Sequence, residues 1–151
     1  MLTTEELALC QEAAAFCPSF NLRKSARAVS RVFDEALQPS GLRSGQFMML
    51  LTVASLREPT YGQLARDLVM DTSTIARSLG PLEREGLIDV VAGPDRRRKS
   101  VRITRKGAER IRQAVPLWTK AQARFSDRVG ETRWTRMLDD LGQTLESVRG
   151  Y

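Results

Sequence analysis

The chain has 151 residues, of which 42% are hydrophobic and 28% are charged, a composition typical of a folded globular domain. No apolar stretch approaches the ~20 residues of a membrane span, and the acidic start MLTTEE is unlike a secretion signal, so we expect a cytoplasmic protein. Histidine is absent, which excludes His-dependent catalysis and His-ligated zinc. Because nucleotide-binding glycine motifs are also missing, the sequence predicts a protein that is not an enzyme and holds no metal or cofactor.

The net charge of +6 is concentrated in one segment. Residues 93–112 carry nine basic and two acidic side chains, a net charge of +7, whereas the rest of the chain sums to −1. Such a local excess is typical of a protein that binds a polyanion such as nucleic acid. The alternative is a basic loop that is simply solvated.

Three helices are predicted before residue 60. The first covers residues 4–16, with Thr4 as its N-cap and Pro18 marking its end. The second begins at Ser19 and has an apolar face with helical spacing. Ser44 is expected to cap the third helix.

The stretch TYGQLARDLVMDTSTIARSLGPLEREGLI, residues 60–88, predicts two short helices joined by a tight turn. Thr60 and Gln63 have the spacing of a capping box at the start of the first helix. Either Asp71 or Thr72 caps the second. This arrangement is typical of a helix-turn-helix.

Polar side chains project from the first turns of the second helix, which is the part of a helix-turn-helix that enters the major groove. They are Thr72, Ser73, Thr74 and Arg77. Hydroxyl and guanidinium groups at these positions can contact base edges and phosphates, so we predict that they bind DNA. The alternative is that the hydroxyls act as helix caps alone.

After Gly86 the apolar pattern changes to a period of two. LIDVVAG and SVRITRKG predict two strands, and GPDRRRK between them predicts the turn of a hairpin. A hairpin that follows a helix-turn-helix makes a winged helix. The basic run then lies at the wing tip, where it can contact phosphates and enter the minor groove. Its members are Arg96, Arg97, Arg98 and Lys99.

Two helices are predicted after the wing. Thr104 caps the first of them and Gly130 ends it. The second carries a regular apolar seam formed by Trp134, Leu138, Leu141, Leu145 and Val148. This seam suits either an intramolecular core or a dimer, but a single small winged-helix core would leave it exposed in a monomer. We therefore expect a homodimer.

Two prolines fall inside predicted helices, where they cannot donate a backbone hydrogen bond. Pro81 is predicted to kink or loosen the second helix of the helix-turn-helix. Pro116 is predicted to kink or end the first helix after the wing.

The segment GPDRRRKSVRITRKG resembles the wing of MarR-type transcriptional regulators. The family's pattern D-x-R, a strand, then T-x-x-G is met by Asp95, Arg97, Thr104 and Gly107. GLRSGQFMMLLTVA is similar to the family's helix before the helix-turn-helix, and TSTIARSLGPLEREGLI is similar to its recognition helix. The resemblance covers nearly the whole chain.

The resemblance implies a mainly α-helical fold with a small β-wing. Residues 43–104 would form the winged helix-turn-helix DNA-binding lobe. Residues 1–42 and 105–151 would form the terminal helices, which are intertwined in a two-fold dimer in this family.

The resemblance also implies the function of a bacterial, sequence-specific transcriptional regulator, and we expect a repressor that binds a pseudo-palindromic operator. By analogy with the family, Arg97 inserts into the minor groove and Asp95 orients it. The additional bases Arg96, Arg98 and Lys99 are expected to make phosphate contacts.

Regulators of this kind often respond to a small aromatic or anionic effector that binds between the dimer helices and the DNA-binding lobe. Arg23, Arg27, Arg43 and Phe47 are the candidates for such a site here. The alternative is that these arginines are solvated or paired across an interface.

Some relatives sense peroxide through an N-terminal cysteine, which makes Cys17 a candidate redox residue. The position of that cysteine, however, aligns with Ser19 in this chain. Cys10 and Cys17 are expected to be free thiols, because two cysteines make no disulfide framework.

A second interpretation is a winged-helix module that binds a protein or an RNA. Its support is the acidic balance of residues 61–92, which hold five acids and three bases. The basic wing and the hydroxyl-rich helix favour DNA instead.

Overall fold

The computed structural model describes residues 1–92 and 99–149, and the predicted wing-tip residues Asp95, Arg96, Arg97 and Arg98 lie outside the described residues. The described part is mostly helical with a two-stranded antiparallel sheet, which confirms the predicted fold class. The elements in chain order are α1 (Thr4–Phe16), α2 (Pro18–Leu37), a short 3-10 turn (Gln38–Ser40), α3 (Ser44–Leu56), α4 (Tyr61–Asp67), α5 (Thr72–Arg84), β1 (Ile88–Ala92), β2 (Lys99–Ile103), α6 (Arg105–Val129) and α7 (Glu131–Val148). Among these helices, none is long and apolar enough to cross a membrane.

An apolar core lies where α3, α5 and the strands meet the end of α2 and the start of α6. Helix α5 buries one face because Ile75, Leu79 and Leu82 recur at intervals of four and three residues. From the strands, Ile88 and Val101 are fully buried, as is Leu87 just before β1. The core therefore holds the helix-turn-helix and the base of the wing in one lobe. Its other fully buried members include Leu37, Phe47, Leu50, Val53, Leu64 and Ala114.

The base of the wing is attached to the beginning of α4. In the hairpin, Val90 lies opposite Val101, and the amide of Val101 also donates to the carbonyl of Pro59 over 2.9 Å. Ser100 is buried and forms an isolated β-bridge with Thr60. These contacts fix the direction in which the wing leaves the lobe.

The turn from α5 into β1 is a Schellman motif. The amide of Gly86 donates to Glu83 over 2.8 Å, and the amide of Leu87 donates to Leu82 over 2.9 Å. Gly86 has φ of +69°, a left-handed conformation that a side chain would disfavour. The chain therefore ends its helix at Arg84 and begins the wing strand at Ile88, with three residues between them.

Thr104, just after the second strand of the wing, is hydrogen-bonded to this same turn. Its hydroxyl donates to the Gly86 carbonyl over 2.7 Å and accepts the Gly107 amide over 3.0 Å, and its own amide donates to Leu87 over 3.1 Å. Thr104 is the N-cap of α6, as predicted. A Cβ at Gly107 would lie 2.0 Å from the Leu87 carbonyl oxygen, so the T-x-x-G motif has a structural role here.

The predicted cap of α1 is wrong by one residue. Thr3, not Thr4, accepts the amide of Glu6 over 3.2 Å, and the Glu6 carboxylate accepts the amide of Thr3 over 2.7 Å. Pro18 does not simply mark the end of this helix but is the first residue of α2, where a missing amide costs nothing.

Ser44 does not cap α3 but is its first residue, and Arg43 occupies the N-cap position. The cap is supplied from α2 by Asp34, whose Oδ1 accepts both the amide and the hydroxyl of Ser44 at 2.6 Å. These bonds hold the pKa of the Asp34 carboxyl below its usual range. A contact between two helices therefore replaces the local cap that the sequence suggested.

Both internal prolines are accommodated without ending a helix. Helix α5 continues through Pro81 to Arg84, and α6 continues through Pro116 to Val129. The prediction that Pro116 ends its helix is wrong, and a bend at either proline remains a prediction. Gly130 follows the last residue of α6, as predicted.

Replacing Gly107 with alanine should lower the free energy of unfolding by about 3 kcal/mol, because the new methyl group meets backbone rather than a movable side chain. Urea denaturation would measure the loss. Gly62→Ala is the control, since a Cβ there meets the Arg66 guanidinium at an ordinary 3.8 Å. If both variants unfold at the same urea concentration, the close approach at Leu87 is not a constraint on stability.

Candidate nucleic-acid interface

The two helices of the helix-turn-helix are joined by a tight turn of residues 68–71. The amide of Leu68 donates to Leu64 over 2.9 Å, and the amide of Met70 donates to Ala65 over 2.9 Å. Val69 adopts φ of +52°, which is strained for a β-branched residue. The turn is therefore held by its hydrogen bonds and by the packing of the helices on either side.

Asp71, one of the two predicted caps, is the N-cap of α5. Its Oδ1 accepts the amide of Thr74 over 2.7 Å and the hydroxyl of Ser73 over 2.5 Å, and its Oδ2 accepts the hydroxyl of Thr74 over 2.7 Å. These hydrogen bonds, the one from Ser73 first, hold the pKa of the Asp71 carboxyl well below its usual range. The carboxylate is thus ionised at neutral pH and occupied by donors from its own helix.

The predicted DNA-reading residues of α5 lie together on its first two turns. Thr72, Ser73 and Arg77 are exposed, and Thr74 is half-buried. Arg77 Nη2 donates to Thr74 Oγ1 over 3.2 Å. Asp71, Thr74 and Arg77 therefore form one hydrogen-bonded chain along the outer surface of the helix.

Some of the basic side chains of residues 93–112 pair with acids of the same lobe, which the sequence did not reveal. In the described part of this segment, Arg102 pairs with Asp89 at 3.4 Å, and Arg105 pairs with Glu109 at 3.1 Å. Two further bases hold the region around Glu85, which follows the last residue of α5. Lys106 donates to the Glu85 carbonyl over 2.7 Å, and Arg110 lies 3.9 Å from its carboxylate.

Lys99, which we predicted at the wing tip, is the first residue of β2, paired with Ala92 and exposed. It lies on the strand because the hairpin ladder extends one residue further than the alternating pattern indicated. Of the four basic residues predicted at the wing tip, Lys99 is the one that falls within the described residues.

The proposed effector residues differ in their position relative to the cleft between α2, α3 and α6. An apolar cleft of about 280 Å³ lies between α2, α3 and α6, and Phe47 is on its wall. Arg23 and Arg27 are exposed on α2, and Arg43 is exposed beside Ser44; none of the three is among the described lining residues. Its walls are formed by Val29, Ser30, Phe33, Leu37, Ser44, Gly45, Phe47, Met48 and Trp118.

Both cysteines are free thiols, as expected. Cys17 is half-buried at the N-cap of α2, and its carbonyl accepts the side-chain amide of Asn21 over 3.0 Å. Cys10 is exposed on α1. A redox role for Cys17 remains a prediction.

The helix-turn-helix, the wing that follows it and the exposed polar residues of α5 define a winged-helix DNA-binding protein. Residues 42–107 match the winged helix DNA-binding domain family. The chain is 36% identical to the M. tuberculosis transcriptional regulator MosR, whose structure was solved in complex with DNA. That comparison covers 88% of this chain and 98% of MosR, with a TM-score of 0.77.

Two further relatives agree with this assignment. A MarR-family regulator of a Rhodococcus species is 25% identical over 82% of this chain and 88% of its own, with a TM-score of 0.71. An HTH-type transcriptional regulator of Bacillus cereus is 29% identical over 74% of this chain and 75% of its own. The chain belongs to the MarR family of winged-helix transcriptional regulators, and its function is DNA-binding transcriptional regulation.

Because the Asp71 carboxylate is stabilised in the folded state, its contribution to stability is full above pH 3.8, its usual pKa, and is lost as the pH falls further. Asp71→Asn keeps a capping side chain but cannot ionise. We therefore expect the variant to melt below the wild type at pH 6 and to approach it near pH 3, as measured by thermal denaturation.

Asp67→Asn is the control, since this carboxylate is exposed and lies at the end of α4 rather than at a helix start. A constant difference in melting temperature between Asp71→Asn and the wild type across this pH range would show that the Asp71 charge does not stabilise the helix.

Proposed function

We propose that the chain is a homodimeric repressor that binds a pseudo-palindromic operator, with α5 in the major groove and the wing tip in the minor groove. The observation that carries the proposal is the combination of exposed polar side chains on the recognition helix with large apolar side chains of α1 and α7 that stay exposed in the described chain. This role is regulatory rather than enzymatic.

The apolar surface of the terminal helices supports the dimer. No residue of α1 or α7 is buried in the described chain, although both helices carry many large apolar side chains. Exposure of that many apolar groups is typical of an interface between subunits rather than of a monomer surface. The exposed residues include Leu7, Leu9 and Phe16 of α1 and Leu138, Leu141, Leu145 and Val148 of α7.

A two-fold dimer through these helices supports operator binding. It would present two copies of α5 to one face of the duplex, about 34–36 Å apart if they enter successive turns of the major groove. The operator would then have two related half-sites. Residues 1–42 and 105–151 would supply the dimer and residues 43–104 the DNA contacts.

The wing supports binding to the phosphate backbone. Asp95, Arg96, Arg97, Arg98 and Lys99 would lie where the wing tip meets the duplex, with Arg97 in the minor groove. Because residues 61–92 hold five acids and three bases, the recognition helix region supplies little net attraction for DNA. The wing would therefore provide most of the salt-dependent affinity.

The cleft between α2, α3 and α6 supports relief of repression by a small aromatic or anionic molecule. It is apolar, and the ring of Phe47 lies 6.4 Å from that of Trp118 at its wall. A ligand there would touch both the DNA-binding lobe and the helices proposed for the dimer. Quenching of tryptophan fluorescence by benzoate in the wild type, reduced in Phe47→Ala, would test the site.

Leu141→Arg should dissociate the dimer, because two-fold symmetry would bury two unpaired charges at a cost above about 3 kcal/mol. Light scattering should give the 16.9 kDa mass of one chain for the variant and twice that mass for the wild type. Gln143→Arg, on another face of α7, is the control and should remain a dimer. A wild type that is monomeric at micromolar concentration contradicts the proposal.

Arg97→Ala should weaken binding to any duplex and reduce the slope of log affinity against log salt by about 2, because each of two wings would neutralise one phosphate fewer. Fluorescence anisotropy on the duplex upstream of the protein's own gene, across a salt series, measures both effects. Lys120→Ala is the control, because this exposed residue of α6 lies outside the matched domain. An unchanged slope in Arg97→Ala would place the wing away from the backbone.

A further inference from the structure

Two hydroxyl groups at the start of α5, those of Ser73 and Thr74, have a fixed hydrogen-bonding role. An ionised carboxylate has no proton and accepts hydrogen bonds alone. The hydroxyls of Ser73 and Thr74, at 2.5 Å and 2.7 Å from the Asp71 oxygens, must therefore both be donors to Asp71. Since a hydroxyl carries one proton, each of them has acceptor capacity alone for any other partner.

The acceptor capacity of the Thr74 hydroxyl is already used within the helix. Its oxygen accepts from Arg77 Nη2 over 3.2 Å, and the side chain is half-buried. Ser73 is exposed, and within the described residues its hydroxyl has Asp71 as its hydrogen-bond partner. Of these two hydroxyls, Ser73 is therefore the one whose acceptor capacity is left for a partner outside the helix.

The major groove distinguishes donors from acceptors on each strand. Adenine presents its N6 amino group and cytosine its N4 amino group as donors, whereas thymine O4 and guanine O6 are acceptors. An oxygen that can accept but not donate is complementary to the amino bases. A free serine, in contrast, accommodates either kind of base.

We propose that Asp71 fixes Ser73 as a hydrogen-bond acceptor, so that Ser73 selects an amino base, adenine or cytosine, over a keto base, guanine or thymine, at one position of each half-site. The inference rests on the proposed placement of α5 in the major groove. In it, Asp71 is a positioning residue that acts on the DNA through Ser73. Arg77, four residues further along the same face, carries donors alone and should therefore favour a keto base, guanine or thymine.

The position read by Ser73 is found by selecting bound duplexes from a randomised library and sequencing them, for the wild type and for Ser73→Ala. At the position where the two selections differ, the wild type should favour amino over keto bases by about tenfold in affinity. The ratio should fall close to one in Ser73→Ala.

Asp71→Ser tests the positioning role. Serine is an equally good N-cap, but it cannot hold the proton of Ser73 as a carboxylate does. We expect the preference for amino bases to fall below about threefold, while the melting temperature at neutral pH falls by no more than it does in Asp71→Asn. Asp67→Ser removes the same charge from α4 and is the matched control, in which general affinity rises but the preference at this position is retained.

Base analogues isolate the amino group itself. In the wild type, the analogue that lacks the amino group of the preferred base (deoxynebularine for adenine, deoxyzebularine for cytosine) should cost about the same tenfold as a keto base. In Ser73→Ala the analogue should cost nothing further. Non-additivity of this kind assigns the contact to one pair of groups.

A preference for keto bases at the Ser73 position, selections that do not differ between the wild type and Ser73→Ala, or a full amino preference in Asp71→Ser would each overturn the inference while leaving operator binding intact. A wild type that selects no sequence at all would overturn the proposed operator recognition together with it.

Discussion

The close contact between the start of α6 and the Leu87 carbonyl is the constraint on which the rest of the lobe depends. Thr104 closes the wing onto Gly86, and Gly107 lets the helix approach the backbone at a distance that no side chain permits. The end of the recognition helix, the first strand of the wing and the long helix α6 therefore meet at one joint. A movement of any one of them must displace the other two, because each hydrogen bond at the joint has a fixed backbone partner.

This joint matters because α6 is also part of the proposed dimer. Beyond the lobe, the ring of Phe125 on α6 lies 6.1 Å from that of Phe33 on α2 and 5.1 Å from that of Trp134 on α7. Aromatic packing thus links α6 to both terminal regions, while Thr104 links it to the DNA-reading elements. In the proposed dimer, a change in the angle between the subunits would reach α5 through α6, so a ligand in the apolar cleft beside Trp118 would affect operator binding.

The pattern of the sequence predicted the elements well where the signal is local, and less well where a distant residue intervenes. The capping box at Thr60 and the cap at Thr104 involve residues close together in the sequence, and the structure confirms them. Of the two caps predicted for α5, Asp71 is the one that forms. The prediction that Ser44 caps α3 was wrong, because Asp34, ten residues away in the sequence, supplies the cap from another helix. The prediction that Pro116 ends its helix was wrong, because α6 continues to Val129 despite the hydrogen bond that proline removes. The net charge of residues 93–112 likewise did not reveal which of these bases pair with acids of the same lobe.

In the proposed complex, charge provides most of the affinity for DNA and hydrogen bonding provides the discrimination between bases. Three bases near the start of α6, Arg105, Lys106 and Arg110, are engaged with Glu85 or Glu109. Asp71 keeps a negative charge at the N-terminus of the recognition helix. Attraction to the phosphate backbone must then come mainly from the wing, where salt screens it. Discrimination between bases rests on short hydrogen bonds at α5, which salt affects far less. Affinity and sequence preference therefore reside on separate elements, so that a substitution in one can leave the other unchanged.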